Sequence, residues 1–194
     1  MTAIVDYKAG NLTSVKLAFA ALGAEAKVTR DPRTIAAADR VVFPGVGAAK
    51  SAMANLAALG LTEAVRAAAL SGKPFLGICL GMQILFEHSE EDGGVDLLGV
   101  LPGKVRRFPD VPGFKVPEIG WNQVNGKTDY YFVHSYYAEK GPYTVGTTDY
   151  AGLTFTSAVR KGNLTAYQFH PEKSSATGAR ILGNFVQIAR EVRS

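Results

Sequence analysis

In the first half of this chain, short apolar runs alternate with stretches of helical periodicity, and this alternation narrows the possible folds more than any other feature. Ala3 to Asp6, Ala26 to Thr29, Arg40 to Phe43 and Pro74 to Ile78 read as buried strands. Between them, Leu12 to Leu22, Ala48 to Leu59 and Thr62 to Leu70 carry helical patterns, with Gly23 placed to cap the first. Strands joined through helices run parallel, because a crossover needs about a dozen residues or more. A chain of 194 residues, 47% of them hydrophobic, is long enough to bury one sizeable core.

The second half has a different texture. From Val95 onward, β-rich stretches at Val105 to Phe108, Tyr130 to Tyr137, Tyr143 to Thr148 and Leu153 to Arg160 are punctuated by Gly and Pro, which predicts antiparallel or mixed pairing. Arg160-Lys161-Gly162-Asn163 reads as a hairpin turn into Leu164 to Phe169. A final helix is expected over Ala176 to Val192, with Ile181, Phe185, Ile188 and Val192 on one face. Residues 1–194 therefore read as a single α/β domain with a central, mostly parallel or mixed sheet flanked by helices.

Several classes of function are set aside by composition. Apolar runs are broken by Ser71, Gly72 and Lys73, well short of the roughly 18 residues of a membrane span, and Asp6 interrupts any leader-like start. Neither a membrane nor secretion is expected. A single cysteine suits a reducing cytoplasm and permits neither an internal disulfide nor a cysteine metal cluster. No metal and no cofactor are expected. The formal charge of +4 is spread along the chain, with only a modest cluster at Lys104, Arg106 and Arg107, and predicts no nucleic-acid partner.

Ligands of open α/β sheets bind beyond the carboxyl ends of the parallel strands. Three loops should therefore meet: Tyr7 to Asn11 after Asp6, Pro44-Gly45-Val46-Gly47 after Phe43, and Cys79 after Ile78. The glycines around Val46 either admit a ligand close to the backbone or merely make a turn. Cys79 stands between a strand and the apolar helical pattern of Leu80 to Phe86, on a sharp turn that would lift its thiol over helix N–H groups. Buried, inert cysteine is the competing reading. A nucleophile also needs a base held by a third group. Of three histidines, His88 lies in an acidic run and His134 in an aromatic strand, whereas His170 ends a strand and is followed by Pro171 and Glu172. A carboxylate two residues on is placed to fix the imidazole tautomer.

Gly77-Ile78-Cys79-Leu80-Gly81-Met82-Gln83 with Gln168-Phe169-His170-Pro171-Glu172 resembles the class I, triad-type glutamine amidotransferases. Val5-Asp6-Tyr7 with Gly10-Asn11, Pro44 to Gly47, Pro117 with Gly120-Trp121-Asn122, and Tyr131 to Tyr136 resemble one branch, the glutaminase subunits of imidazole glycerol phosphate synthase. The resemblance spans essentially the whole chain. It departs at Lys8, where glycine is common, and at Glu118, where histidine is common.

The resemblance implies a catalytic triad of Cys79, His170 and Glu172, with oxyanion donors at Val46 and Leu80. It implies L-glutamine as substrate, held by Gly47, Gln83, Glu91 and Ser135, and a cyclase subunit as heterodimer partner, met by Asn11, Trp121, Tyr136 and Lys173. The chain shows no acceptor site for ammonia of its own, which agrees with a partner. Trp121 suits either an exposed anchor or a core plug. Two other readings remain open at this stage: the glutaminase subunit of a pyridoxal phosphate synthase, and a regulatory protein of the same fold without catalysis. The first carries a Gly-Gly-Glu-Ser segment where this chain has Pro44-Gly45-Val46-Gly47, and the second predicts a lost triad position.

Overall fold

A computed structural model describes residues 1–8 and 10–191, with the side chains of the last helix described as far as Ile188; Val192, assigned above to that helix's apolar face, lies outside the described residues. The first half follows the expected order: β1 (Thr2–Val5), α1 (Leu12–Ala21), β2 (Ala26–Thr29), α2 (Pro32–Ala37), β3 (Arg40–Gly45), α3 (Ala49–Ala58), α4 (Thr62–Leu70), β4 (Phe75–Cys79) and α5 (Leu80–Gln83). The short strands β5 (His88–Ser89) and β6 (Val95–Asp96) follow, then β7 (Lys104–Arg107), β8 (Glu118–Val124), β9 (Thr128–His134) and β10 (Tyr136–Ala138). The chain ends with β11 (Thr144–Tyr150), β12 (Leu153–Lys161), β13 (Leu164–Tyr167) and α6 (Ser175–Glu191).

Eleven strands form one sheet in the order β2-β1-β3-β4-β13-β12-β10-β7-β5-β6, with β11 on β12, and β8 and β9 form a separate ribbon. From β2 to β13 every pairing is parallel. Beyond β13, the pairings with β12, β10 and β7 are antiparallel. The parallel strands β1, β3 and β4 are buried on both faces, as crossover helices require, while the edge strand β2 is partly exposed. Ala3, Val5, Val41 and Phe43 pack with Ile35, Leu56 and Val65 of α2, α3 and α4. Ile4, Val42, Leu76 and Ile78 face the other way, onto Val15 and Phe19 of α1 and Leu182, Phe185 and Val186 of α6.

Local chemistry accounts for the helix ends. After α1, Gly23 takes φ 65°, its N–H donates to Ala20 O and the Ala24 N–H donates to Phe19 O, the Schellman pairing that left-handed glycine permits. Helix α2 was not expected, although Asp31 accepts from the N–H groups of Arg33 and Thr34, and Pro32 supplies a preset first turn. The helix expected over Leu80 to Phe86 stops at Gln83 and closes through Leu85 N–H to Met82 O and Phe86 N–H to Gln83 O. The chain must turn there, because Glu87 is held against Gly103 and Leu97 at the sheet edge. The aromatic strand expected over Tyr130 to Tyr137 is divided at Ser135, where the chain passes from the ribbon to the main sheet.

Candidate active site

Strands β3, β4 and β13 are neighbours and parallel, with Gly45 opposite Cys79 and Tyr167 opposite Ile78. Whatever follows each strand must therefore meet at one edge. Cys79 occupies the step from β4 to α5 at φ 54°, ψ −113°, a conformation that costs a residue with a side chain about 1–3 kcal/mol and is held by its surroundings. The turn is tight enough that a Cβ on Gly81 would stand 1.8 Å from the Phe43 carbonyl oxygen. Only glycine lets the elbow approach β3 that closely.

Four residues past the end of β13, Pro171 prevents any extended continuation and begins a single helical turn, Pro171 to Lys173. That turn brings Glu172 Oε1 to 2.8 Å from His170 Nδ1, with both side chains buried. Asn11 Nδ2 donates to the same carboxylate oxygen at 2.6 Å. The His170 backbone is fixed as well: its N–H donates to Tyr131 O at 2.9 Å and its carbonyl accepts from Ser174 Oγ at 2.7 Å. Burial opposes a charged imidazole, but the negative charge of Cys79 and the Glu172 carboxylate outweigh it, so the His170 pKa is pushed up to about 10. Among the described residues His170 Nε2 has no hydrogen-bond partner, and the imidazole is close enough to Cys79 to respond to its charge.

Cys79 opens into a cavity of about 290 Å³. Val46, Gly47, Leu80, Gln83, Glu91 and Ser135, all singled out in the sequence, line it together with Cys79. His170 and Glu172 lie behind the cysteine rather than in the cavity wall. Glu91 accepts the Ala49 N–H at the start of α3 at 2.6 Å, and burial raises its carboxyl above the usual range. Gln83 is 4% exposed, and its amide nitrogen already donates to Tyr136 O at 2.7 Å and Gln168 Oε1 at 2.9 Å.

The residues expected at a partner surface divide. Trp121 is 54% exposed, which settles it as a surface residue, and its ring meets the edge of Tyr131, over which Lys173 Nζ lies at 5.9 Å. Tyr136 lines the cavity and Asn11 holds Glu172, so both contribute within this chain. The two departures have local explanations. Lys8 sits at φ 67°, a conformation glycine adopts freely, with its N–H on Asp6 Oδ1. Glu118 is buried and pairs with His134 Nε2 at 2.9 Å, while Asn122 Nδ2 donates to its other oxygen at 2.8 Å.

Sequence reasoning missed Pro117, Val133 and His134 in the cavity wall, and Gln168 and Tyr7 beneath it. Tyr7 is buried under Gly45, and burial together with the Cys79 charge pushes its phenol well above the usual range. The only signal for most of these was membership of the motifs already quoted.

Comparison with known proteins agrees with this geometry. The family model described as glutamine amidotransferase class-I matches residues 3–189. The imidazole glycerol phosphate synthase subunit HisH of Moorella thermoacetica is 50% identical, the match covering 97% of this chain and 95% of that protein. The subunit of the same name from Methanothermobacter thermautotrophicus is also 50% identical, over 98% of this chain and 100% of its own length. A crystal structure of a glutamine amidotransferase superposes with a TM-score of 0.75 at 23% identity, covering 96% of this chain and 98% of its own, a likeness of fold. A match of that identity and length leaves little room for another lineage: the chain belongs to the class-I glutamine amidotransferases and, among them, to the HisH family of imidazole glycerol phosphate synthase subunits.

Proposed function

We propose that this chain is the cytoplasmic glutaminase subunit of imidazole glycerol phosphate synthase, hydrolysing L-glutamine through Cys79 and passing ammonia to a cyclase subunit. The observation that carries the reading is the buried His170–Glu172 pair standing behind Cys79 on its strained elbow. In the proposed reaction the Cys79 thiolate adds to the side-chain amide carbon of glutamine. The oxyanion so formed takes hydrogen bonds from the Leu80 and Val46 N–H groups, each worth about 3–4 kcal/mol in the transition state. The His170 imidazolium gives its proton to the amide nitrogen, the C–N bond breaks, and ammonia leaves a thioester. Neutral His170 then removes a proton from water as the oxygen attacks that thioester. Collapse releases glutamate and restores the thiolate and imidazolium.

Glu172 keeps Nδ1 protonated, so Nε2 faces the sulfur throughout. Glu91 is suited to the α-ammonium group by charge, and Ser135 and Gly47 to the α-carboxylate by their place in the cavity wall. Asn11, Trp121, Tyr136 and Lys173 are the proposed contacts with the cyclase, and the glycines around Val46 allow the oxyanion donor to depend on that contact. Glutamine turnover is therefore expected to be slow in the isolated chain and faster in the complex. Among the described residues no helix is long and apolar enough to cross a membrane.

Exposure of the chain, with cyclase present, to a diazo-ketone analogue of glutamine tests the assignment. One covalent adduct on Cys79 is expected. Absence of any adduct would sink the glutaminase reading.

A further inference from the structure

Among the described residues, two groups lie within hydrogen-bonding reach of Cys79 Sγ besides the His170 imidazole, and the buried Tyr7 phenol also responds to its charge. The Val133 carbonyl oxygen lies 3.8 Å away on one side and Gln168 Nε2 lies 3.8 Å away on the other. These neighbours favour opposite states of the sulfur. A carbonyl oxygen accepts from a thiol S–H and repels a thiolate, whereas an amide N–H attracts a thiolate. Gln168 is fully buried, so its preference is weakly screened.

The orientation of the Gln168 amide is dictated by its neighbours. The Tyr136 carbonyl can only accept, so the Gln83 atom 2.7 Å from it must be nitrogen. That nitrogen also faces the Gln168 side chain at 2.9 Å, which must therefore present its oxygen there and its nitrogen to the sulfur. The Tyr136 carbonyl is itself held by a second donor, His134 Nδ1 at 2.7 Å, whose other ring nitrogen meets Glu118. Two donors thus converge on the Tyr136 carbonyl, and from Gln83 the donors run on through Gln168 to Cys79.

We infer that Gln168 is a further catalytic residue, whose buried amide N–H holds the Cys79 sulfur as thiolate between turnovers, and that Gln83 is the positioning residue that keeps this amide facing the sulfur. The inference rests on the reading of Cys79 as the nucleophile. It also gives Gln83 a task inside the protein in place of, or beside, a contact with glutamine.

The test is the rate of Cys79 alkylation by iodoacetamide as a function of pH, measured on the full chain with the cyclase bound. Gln168→Met keeps the volume and removes the N–H. It is expected to move the midpoint of the profile upward by about one pH unit and to lower kcat for glutamine about tenfold, with KM changed less than about twofold. Gln83→Met leaves Gln168 free to turn and is expected to move the midpoint in the same direction by less. Should Gln168→Met not fold, Gln168→Glu places an oxygen against the sulfur while still accepting from Gln83, and is expected to move the midpoint further upward. A midpoint unmoved in a folded Gln168 variant would overturn the inference even if stability fell, because a role in packing alone leaves the profile where it was. A parent chain in which Cys79 resists alkylation at every pH would remove the nucleophile and this inference with it.

Discussion

The parallel half of the sheet and the β8–β9 ribbon both border the cavity, yet they are built on opposite rules. Strands β1 and β4 are buried at every residue and β3 at all but its first, enclosed by helices on both faces. Along β8, exposed residues alternate with buried or half-buried ones, and Ile119 and Trp121 point into solvent at 63% and 54% exposure. The floor carries Cys79 and Val46, with His170 just past its last strand; the ribbon and the step after it carry Val133, Ser135 and Tyr136. Groups that exchange a proton need fixed geometry, which two-sided packing supplies. A wall proposed to meet substrate and a second subunit needs an accessible face. The ribbon is tied to the end of the floor by aromatic packing of Tyr130 and Phe132 on Phe169 and by the bond from His170 N–H to Tyr131 O.

The largest effect should come from the floor. Cys79→Ala is expected to lower glutamine hydrolysis by about 10⁴-fold or more while leaving the cyclase reaction with free ammonia intact. Measuring both nitrogen sources on the assembled enzyme separates loss of the nucleophile from loss of the complex. Gly81→Ala should break the floor itself. Its methyl group would meet the Phe43 carbonyl at 1.8 Å, a backbone atom that cannot swing aside, so a loss of about 3 kcal/mol is expected by denaturant unfolding. Unchanged stability in that variant would show that the elbow is less rigid than the parallel half around it.

The contrast between the two regions also decided what was legible in the sequence. Strands β1 and β4 announce themselves as short apolar runs, and the Cys79 elbow and the His170-Pro171-Glu172 turn are each contained within a few residues. Their chemistry is local, so their signal is local. Strand β8 escaped because its pattern is inverted: Ile119 and Trp121 face outward while Glu118 is buried, the reverse of what a half-buried strand presents. Helix α2 has its signals in Asp31 and Pro32 but only six residues, too few for periodicity to register. The contacts of Asn11 with Glu172 and of Gln83 with Gln168 join residues 161 and 85 positions apart, and no short pattern encodes them. The sequence thus identified the groups on the floor, but not the polar contacts that orient them.

A pH titration sharpens the comparison from the side of the floor. His170 has its pKa raised from about 6.5 to about 10 on folding, so its contribution to stability is fully present below about 6.5 and is lost as pH rises through about 10. Thermal unfolding across that window should show stability falling toward the alkaline end. In Cys79→Ala one of the charges that holds the proton is gone, so the fall should still begin near 6.5 but be smaller and level off at lower pH. Identical pH dependence in the two chains would mean that the sulfur and the imidazole are not electrostatically paired.

The smallest effect on folding, and the test most specific to the ribbon, is expected from Trp121→Ala. Trp121 meets Tyr131 only edge-on at 6.3 Å between ring centroids, and more than half of its surface is in solvent. Truncation therefore removes little buried area, and stability of the isolated chain should change by no more than about 0.5 kcal/mol. If the open face of the ribbon receives the cyclase, the same substitution should weaken assembly by about 2 kcal/mol, roughly thirtyfold in Kd, since a large aromatic anchor commonly carries that share of an interface. Measured side by side, the two numbers discriminate between the roles of the ribbon. Loss of stability with unchanged association would make Trp121 a structural residue and the ribbon an extension of the floor. The opposite pattern would establish the ribbon as the surface on which the second subunit acts, one strand pairing away from Tyr131 and the backbone bond that holds His170.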